Sequence, residues 1–497
     1  MTKIIRNIYN SITSSSIIKN SFWGVFSTLL QSVFVSILFI ILARQYSKGE
    51  FANFLIASTI YQLVVAFSSM GLGQWFIREY FGQSDKTAFV NKFFKIQVVL
   101  GVVFYFINVI LVIIIYDDTQ IRILGTLLGL NLIFDNIIYA LTRLNIATSE
   151  QKRTAITVTI DSTLRVMIGA WLILYPFSII QLALLLVIVR FLTVNILLRL
   201  GAGNGGLRIT TCWNTAIDFK DVKEIIFSNW KFAVIGCVYI VNWRFANILI
   251  SKFLPLQDVA NYEIAFKVFS LAGMLPAIAS STIYIHYIKY FNSGELDKLR
   301  YFFTTFFKLY TIFAMVSYAF VYSFGDFLIP YIFGENYVDS VVSVKLMFLT
   351  LLFSATSSLQ ANLIVAMKME KTDMQFNIIY MLFNLASCSI GLYFFKSLSV
   401  VNYSILGAVF LFHILQDIVL IKRGIVTIRS RIIFFILLTV FLLSYQYLAS
   451  HFNPYVLFFV YGLGLMSVGL LFVHKHRRRI TELSTQSKEY GSGVVAS

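Results

Sequence analysis

Apolar runs of about 20 residues alternate with short polar clusters along most of the chain. A bilayer core about 30 Å thick needs roughly 20 helical residues, so each run is long enough to cross a membrane. Cutting the chain at its polar clusters predicts about fourteen spans, the second over 51–77 and the fourth over 120–142. Since no stretch alternates with the period of two of a membrane β-strand, the pattern predicts an all-α polytopic membrane protein.

The ends of the chain and one long connection depart from this pattern. Residues 1–19 carry isoleucines on one helical face and Lys3 and Arg6 on the other, which predicts an amphipathic helix on the membrane surface. The connection 200–229 begins with a glycine-rich run and ends in an amphipathic stretch, which predicts a flexible joint with an interfacial helix. The predicted organisation is an amphipathic segment 1–19, an N-lobe 20–199, a joint 200–229, a C-lobe 230–425, two further spans over 426–474, and a tail 475–497.

A short internal repeat relates the two halves. Residues 50–57 (EFANFLIA) resemble residues 258–265 (DVANYEIA), and both stand at the start of the second span of a half. The two copies are six predicted spans apart, so the halves have the same orientation in the membrane. The repeat therefore predicts two six-helix lobes related by an axis along the membrane normal, followed by two extra C-terminal helices.

The charge and the composition of the chain exclude several classes of protein. Only 13% of the residues are charged, against about 25% in soluble domains, so a soluble fold is excluded. Most of the 40 Lys and Arg residues fall on one side of the predicted spans, which places both termini in the cytoplasm. The loop cations of that side include Lys422, Arg423, Arg429 and Arg431. The net charge of +17 is thus a topology signal, and no nucleic-acid partner is expected. Cysteine and histidine spacing predicts no metal site, and no cofactor is expected.

Three segments resemble a known family. They are residues 41–80 (ILARQYSKGEFANFLIASTIYQLVVAFSSMGLGQWFIREY), 260–299 and 331–385. The first has a Gly-acidic-aromatic start to its helix and closes on Gly-Leu-Gly before a basic residue, and the third begins with Phe-Gly-Glu-x-Tyr. The chain resembles Wzx-type polysaccharide flippases of the multidrug/oligosaccharidyl-lipid/polysaccharide exporter superfamily. One departure is Trp243-Arg244, where many members carry an Asp-Arg pair.

The resemblance implies a transporter. Its substrate would be an undecaprenyl-pyrophosphate-linked oligosaccharide, moved from the cytoplasmic to the outer leaflet of the bacterial plasma membrane for O-antigen lipopolysaccharide, capsule or exopolysaccharide. A polysaccharide polymerase and a chain-length regulator are possible partners, and a monomer suffices because two lobes enclose a pathway. Two alternatives stay open: a cation-coupled drug exporter of the same superfamily, and a membrane-embedded polymerase or ligase. The second is disfavoured because every predicted outer loop is short.

Five cations remain inside predicted spans, namely Arg165, Arg190, Arg244, Lys267 and Lys308. A charge near the bilayer centre costs at least about 2.5–3.5 kcal/mol, so such residues normally face the bundle interior or a wet cavity. The first four are candidate substrate-binding cations, because an undecaprenyl pyrophosphate offers anionic oxygens to them. Lys308 lies near the predicted cytoplasmic edge and is expected to snorkel instead.

Internal salt bridges are the alternative to substrate contact. The sequence offers three pairs: Arg165 with Asp161, Arg190 with Asp135, and Lys267 with Glu263. Two of these have the i,i+4 spacing of a helical ion pair. Arg244 has no acid three or four residues away, and Trp243 either stacks on a sugar or packs in the bundle.

Helix bending is predicted at one place. Gly273 and Pro276 lie deep in the eighth span, where proline removes a backbone hydrogen bond and glycine relaxes the steric limits. The two lobes are therefore expected to rock with a hinge in this helix, as alternating access requires.

Overall fold

Sixteen helices make up the part of the chain that the structure describes. The structure is a computed structural model, and it describes residues 16–201, 223, 237–238 and 240–471. The helices are α1 (Ser16–Gln45), α2 (Lys48–Ser68), α3 (Leu72–Tyr80), α4 (Lys86–Ile115), α5 (Thr119–Gly129), α6 (Asn131–Ala147), α7 (Gln151–Leu174), α8 (Ile179–Gly201), α9 (240–253), α10 (Gln257–Asn292), α11 (Leu296–Phe333), α12 (Ser340–Ala366), α13 (Glu370–Phe395), α14 (Leu398–Lys422), α15 (Ile428–His451) and α16 (Pro454–Leu471).

These helices have the length and composition of membrane spans. Thirteen candidate spans are found among the described residues, with α5 and α6 forming one of them. A further predicted span, 230–253, is described mainly over the helical residues 240–253. No strand occurs in the described ranges. The prediction of an all-α membrane protein with about fourteen spans is confirmed, whereas most of the predicted amphipathic segment, joint and tail lies outside the described residues.

The chain divides into two compact units, residues 1–260 and 261–497. In the first unit α1 packs against α7, α2 against α5, α4 against α6, and α7 against α8. A buried cluster that includes Phe76 and Phe93, with ring centroids 4.2 Å apart, joins α3 to α4. In the second unit α12 lies between α11 and α14, and α13 packs on α14. The assignment of lobes from the repeat stays a prediction.

Side-chain caps define where several helices begin. Ser47 Oγ accepts a hydrogen bond from the Glu50 N–H, and Glu50 Oε2 accepts one from the Ser47 N–H, which completes a capping box at the start of α2. Asp85 caps α4 in the same way by accepting from the Ala88 N–H at 2.9 Å. These caps satisfy backbone donors that the first turn of a helix leaves without partners.

Two predicted spans differ from the structure in their course. The predicted span 51–77 ends at Ser68, because Met70 and Gly71 have left-handed φ values of 50° and 66° and the chain turns into α3. The predicted span 120–142 is interrupted at Leu130, where α5 ends and α6 begins. The first break falls at Ser69-Met70-Gly71 and the second at Gly129-Leu130-Asn131, short stretches with glycine and polar residues between apolar segments.

The two copies of the internal repeat have the same local structure. Glu50 lies in the first turn of α2, and Asp258 lies in the first turn of α10. All residues of 51–57 and of 259–265 are buried. The equivalent amides Asn53 and Asn261 are only 8% and 3% exposed. The repeat in sequence is therefore also a repeat in secondary structure and burial.

Candidate functional site

A cluster of ionised side chains lies inside the first unit, and we call it the Asp161 cluster. Its members come from four helices, since α2 supplies Tyr61, α6 supplies Asp135, α7 supplies Asp161 and Arg165, and α8 supplies Arg190 and Thr193. The i,i+4 spacing on α7 brings one acid and one base to the same face of that helix. The remaining members reach it because α7 and α6 both pack against α8.

Asp161 is the shared acceptor of this cluster. Arg165 Nε donates to Asp161 Oδ2 at 2.8 Å, and Arg190 Nη1 reaches Asp161 Oδ1 at 3.3 Å. The Thr193 hydroxyl also donates to Asp161 Oδ1, at 2.7 Å. Since Asp161 is only 3% exposed, the three donors replace the water that its carboxylate would otherwise need.

Arg190 connects Asp161 to a second acid. Arg190 Nε lies 2.8 Å from Asp135 Oδ1, and the Tyr61 hydroxyl donates to Asp135 Oδ2. The Arg190 side chain is 22% exposed and the Asp135 side chain 13% exposed. The cluster thus holds two guanidinium groups and two carboxylates that balance in charge, which is how a bundle interior tolerates ionised groups.

The structure therefore brings together two of the three predicted pairs. Arg165 pairs with Asp161 and Arg190 pairs with Asp135, as the sequence suggested. The additional link from Arg190 to Asp161 was not predicted. Tyr61 and Thr193 were also missed, because an isolated hydroxyl on an apolar helix gives no sequence signal of the partner that it meets on another helix.

Arg244 and Trp243 lie on α9, apart from the helices that build the Asp161 cluster. Trp243 is buried and Arg244 is partly exposed. Three hydrogen bonds join α9 to other parts of the first unit: Lys252 Nζ donates to the Ile115 carbonyl, and Asn247 Nδ2 donates to the Thr59 hydroxyl at 2.8 Å. The third joins the hydroxyls of Tyr116 and Ser251, 2.5 Å apart. Arg244 also takes part in further interactions, so it is not an isolated charge.

The remaining predicted residues lie in the second unit. Glu263 is buried and Lys267 is partly exposed on α10, and both take part in interactions with neighbours. The helix runs without interruption through Gly273 and Pro276. The Pro276 carbonyl accepts from the Tyr310 hydroxyl of α11 at 2.8 Å. The predicted hinge is therefore helical and tied to its neighbour in this conformation, and its role stays a prediction.

A second buried cluster was missed by the sequence analysis, and we call it the Asp417 cluster. Asp417 Oδ1 accepts from Gln360 Nε2 of α12 at 2.5 Å and lies 2.8 Å from Arg431 Nε of α15. His413 Nδ1, one turn earlier on α14, lies 3.1 Å from Asp417 Oδ2. The other ring nitrogen of His413 is 3.2 Å from the Thr356 hydroxyl.

Arg431 corrects an expectation from the charge pattern. It was counted with Lys422, Arg423 and Arg429 as a loop cation, but it is only 5% exposed. Since α15 begins at Ile428, Arg431 falls in its first turn and turns toward Asp417. Its guanidinium carbon also lies 4.0 Å from the centroid of the Phe307 ring on α11.

Several solved transporters share this fold. An inward-facing multidrug resistance transporter of the MATE family, in the MOP superfamily, gives a TM-score of 0.68 at 12% identity, covering 79% of this chain and 94% of that one. The lipid II flippase MurJ in an inward closed conformation gives 0.69 at 16% identity, covering 93% and 100%. A MOP superfamily transporter from Pyrococcus furiosus gives 0.56 at 12% identity, covering 82% and 95%. The chain therefore has the fold of the MOP-superfamily transporters.

The family follows from the sequence itself. A family model described as polysaccharide biosynthesis protein matches residues 41–342, which is more than half of the chain. The chain belongs to that family, and the resemblance found in its sequence segments is confirmed. No curated protein matches the chain significantly.

Proposed function

We propose that the protein is a flippase for an undecaprenyl-pyrophosphate-linked oligosaccharide. In this proposal it moves the lipid-linked repeat unit from the cytoplasmic to the outer leaflet of a bacterial plasma membrane, with both termini in the cytoplasm. The product would serve the assembly of a surface polysaccharide such as O-antigen, capsule or exopolysaccharide. The polysaccharide biosynthesis family and the transporter fold support this reading over an enzyme.

The observation that carries the proposal is the Asp161 cluster. Arg165 and Arg190 are ion-paired, yet 18% and 22% of their side chains stay exposed, so part of each side chain is open to an incoming anion. An arginine offers several donors in a planar fork, which fits two oxygens of a phosphate. A pyrophosphate would therefore join these cations as a further acceptor.

The carboxylates of the cluster give a physical route to release. Asp161 and Asp135 neutralise the two arginines when no substrate is bound, so an empty transporter carries no uncompensated buried charge. The substrate phosphate would then share the arginine donors with these carboxylates, which keeps binding weak enough to be reversed. Arg244 and Lys267 are proposed as supporting cations.

The test replaces each cluster arginine by lysine, which keeps the positive charge and removes the planar set of guanidinium donors. Arg165→Lys and Arg190→Lys should reduce flipping of a fluorescent lipid-linked oligosaccharide in proteoliposomes, since lysine binds phosphate as a point charge. Arg122→Lys is the matched control, because Arg122 forms an exposed pair with Asp117 at 3.0 Å outside the cluster. Membrane abundance is measured for each variant. Normal flipping by both cluster variants at normal abundance would contradict the proposal.

A drug exporter is the second candidate, and one observation favours it. Asp135 and Asp161 are acids within a membrane-embedded unit, and a cation-coupled exporter relies on buried acids. In this reading Asp135→Asn should abolish efflux of a cationic dye from cells and leave surface polysaccharide unchanged. The flippase proposal expects the opposite pattern, in which polysaccharide is lost and dye accumulation does not change.

A further inference from the structure

A cavity of about 410 Å³ lies in the second unit between α11, α15 and α16. This volume falls within the roughly 300–1,000 Å³ of pockets that hold small ligands. Its walls are mainly apolar, with Phe303 and Phe307 of α11 facing Phe434 of α15, and Leu465 contributed by α16. It is spatially distinct from the Asp161 cluster, which belongs to the first unit.

The cavity has a cationic end. Arg431 and Lys308 both line it, together with the hydroxyl-bearing Ser430 and Thr304. Arg431 comes from the first turn of α15, which also carries Arg429, and the preceding helix end and connection supply Lys422 and Arg423. A ligand would therefore meet cations at one end of the cavity and hydrocarbon along the rest of it.

Arg431 has donors that the protein does not use. Its Nε lies 2.8 Å from Asp417 Oδ1, and its two terminal nitrogens form no hydrogen bond with the residues that the structure describes. The Nε atom is fully buried, whereas the two terminal nitrogens keep some accessible surface. Unsatisfied guanidinium donors beside aromatic rings are costly, so an anion with two oxygens would be favoured at this position.

We propose that this cavity binds an anionic glycerophospholipid of the bilayer, with its phosphate at Arg431 and an acyl chain along the apolar walls. Basic pockets between membrane helices bind anionic head groups in this way. The walls also open toward lipid, because Leu437 is 58% and Val468 57% exposed. An oligosaccharide fits poorly, since the walls offer it few hydrogen-bond partners.

The bound lipid would connect three helices. It would contact α11, α15 and α16 at once, and a ligand that binds only the folded state stabilises that state by mass action. The lipid would then hold both C-terminal helices to α11, whereas the Asp417 cluster holds α15 alone. This inference does not depend on the proposed transport activity.

The experiment measures binding to the purified full-length protein. Thermal unfolding is followed in detergent with added dioleoyl phosphatidylglycerol, dioleoyl phosphatidylcholine, inorganic phosphate or undecaprenyl phosphate. We expect phosphatidylglycerol to raise the unfolding temperature and the other three to have little effect. Equal shifts from phosphatidylcholine, or a shift from undecaprenyl phosphate alone, would overturn the proposal.

Variants locate the site. Arg431→Lys keeps the charge beside Asp417 and loses the fork, so phosphatidylglycerol should bind about tenfold more weakly. Leu465→Trp fills the apolar part from α16 without touching the Arg431 pair, and should weaken binding similarly. Arg429→Gln is the control, because it removes a neighbouring charge that does not line the cavity. A folded Leu465→Trp variant with an unchanged phosphatidylglycerol response would refute the assignment.

Discussion

Replacing Asp161 by Asn tests the electrostatic account of the first unit most directly. The change keeps the shape of the side chain and removes the negative charge that Arg165 and Arg190 share. Arg190 retains Asp135 at 2.8 Å, whereas Asp161 is the only described acid paired with Arg165. The variant therefore strands one guanidinium inside the bundle.

The expected cost follows from burial. Removing one partner of a buried ion pair destabilises a protein by about 3–5 kcal/mol. Because the Arg165 side chain is 18% exposed, some solvent reaches it and the lower end of about 3 kcal/mol is expected. Adding Arg165→Gln to Asp161→Asn removes the stranded charge, so the double variant should lose less stability than the two single losses added together.

The assay is a double-mutant cycle on unfolding free energy, measured by SDS titration in mixed micelles. We expect a coupling of about 1–3 kcal/mol between Asp161 and Arg165, above the roughly 0.6 kcal/mol average for interhelical hydrogen bonds in membranes. The Arg122–Asp117 pair is the control, with a similar distance of 3.0 Å but an Asp117 side chain fully exposed. Its coupling should stay below about 0.5 kcal/mol. A coupling for the Asp161 pair no larger than the control would refute the reasoning.

Three other outcomes are expected. Gly101→Ala should lower the unfolding free energy by about 1–3 kcal/mol, because the new Cβ would lie 3.0 Å from the Ile133 backbone. A Cβ at Gly273 would meet nothing within 4 Å, so in an SDS titration Gly273→Ala should unfold at the same SDS concentration as the wild type. Pro276→Ala should slow flipping in proteoliposomes at normal membrane abundance if α10 bends there, and unchanged transport would remove the hinge. Burial raises the pKa of Tyr337, in the turn between α11 and α12, to about 12. The folded state therefore favours the neutral phenol, so wild-type stability should fall between pH 10 and 12. Melting curves of Tyr337→Phe should show a smaller fall over that range, and an equal fall would argue against the shift.

The membrane fold was predictable because its main determinant is local. Any run of about 20 apolar residues must form a helix in lipid, where every backbone polar group needs an internal partner. The repeat at 50–57 and 258–265 likewise marked two equivalent helix starts. The break at Met70 and Gly71 was missed because it depends on two left-handed backbone angles in a short Ser-Ser-Met-Gly stretch that separates two apolar segments.

The candidate site was predictable where the sequence offered an acid inside a predicted span to an arginine elsewhere in the spans, as with Asp135 and Arg190. The i,i+4 spacing identified Arg165 with Asp161 directly. The contacts of Tyr61 and Thr193 depend on how α2 and α8 pack, which no local pattern encodes. Arg431 was misassigned because a cation beside other loop cations looks exposed until its acid on another helix is known.

The ion-pair clusters of the two units differ in how far they are exposed. Each has an aspartate that pairs with an arginine of another helix, but the Arg190 side chain of the first unit is 22% exposed, while the Arg431 side chain of the second is 6% exposed. The partial exposure of Arg165 and Arg190 is the property that the proposed reversible binding of substrate requires. The Asp417 carboxylate is enclosed by Gln360, His413 and Arg431, so exchanging its partners would require the helices to separate. In the proposed function the Asp161 cluster binds the substrate, whereas the ion pair of Asp417 with Arg431 joins α15 to α14.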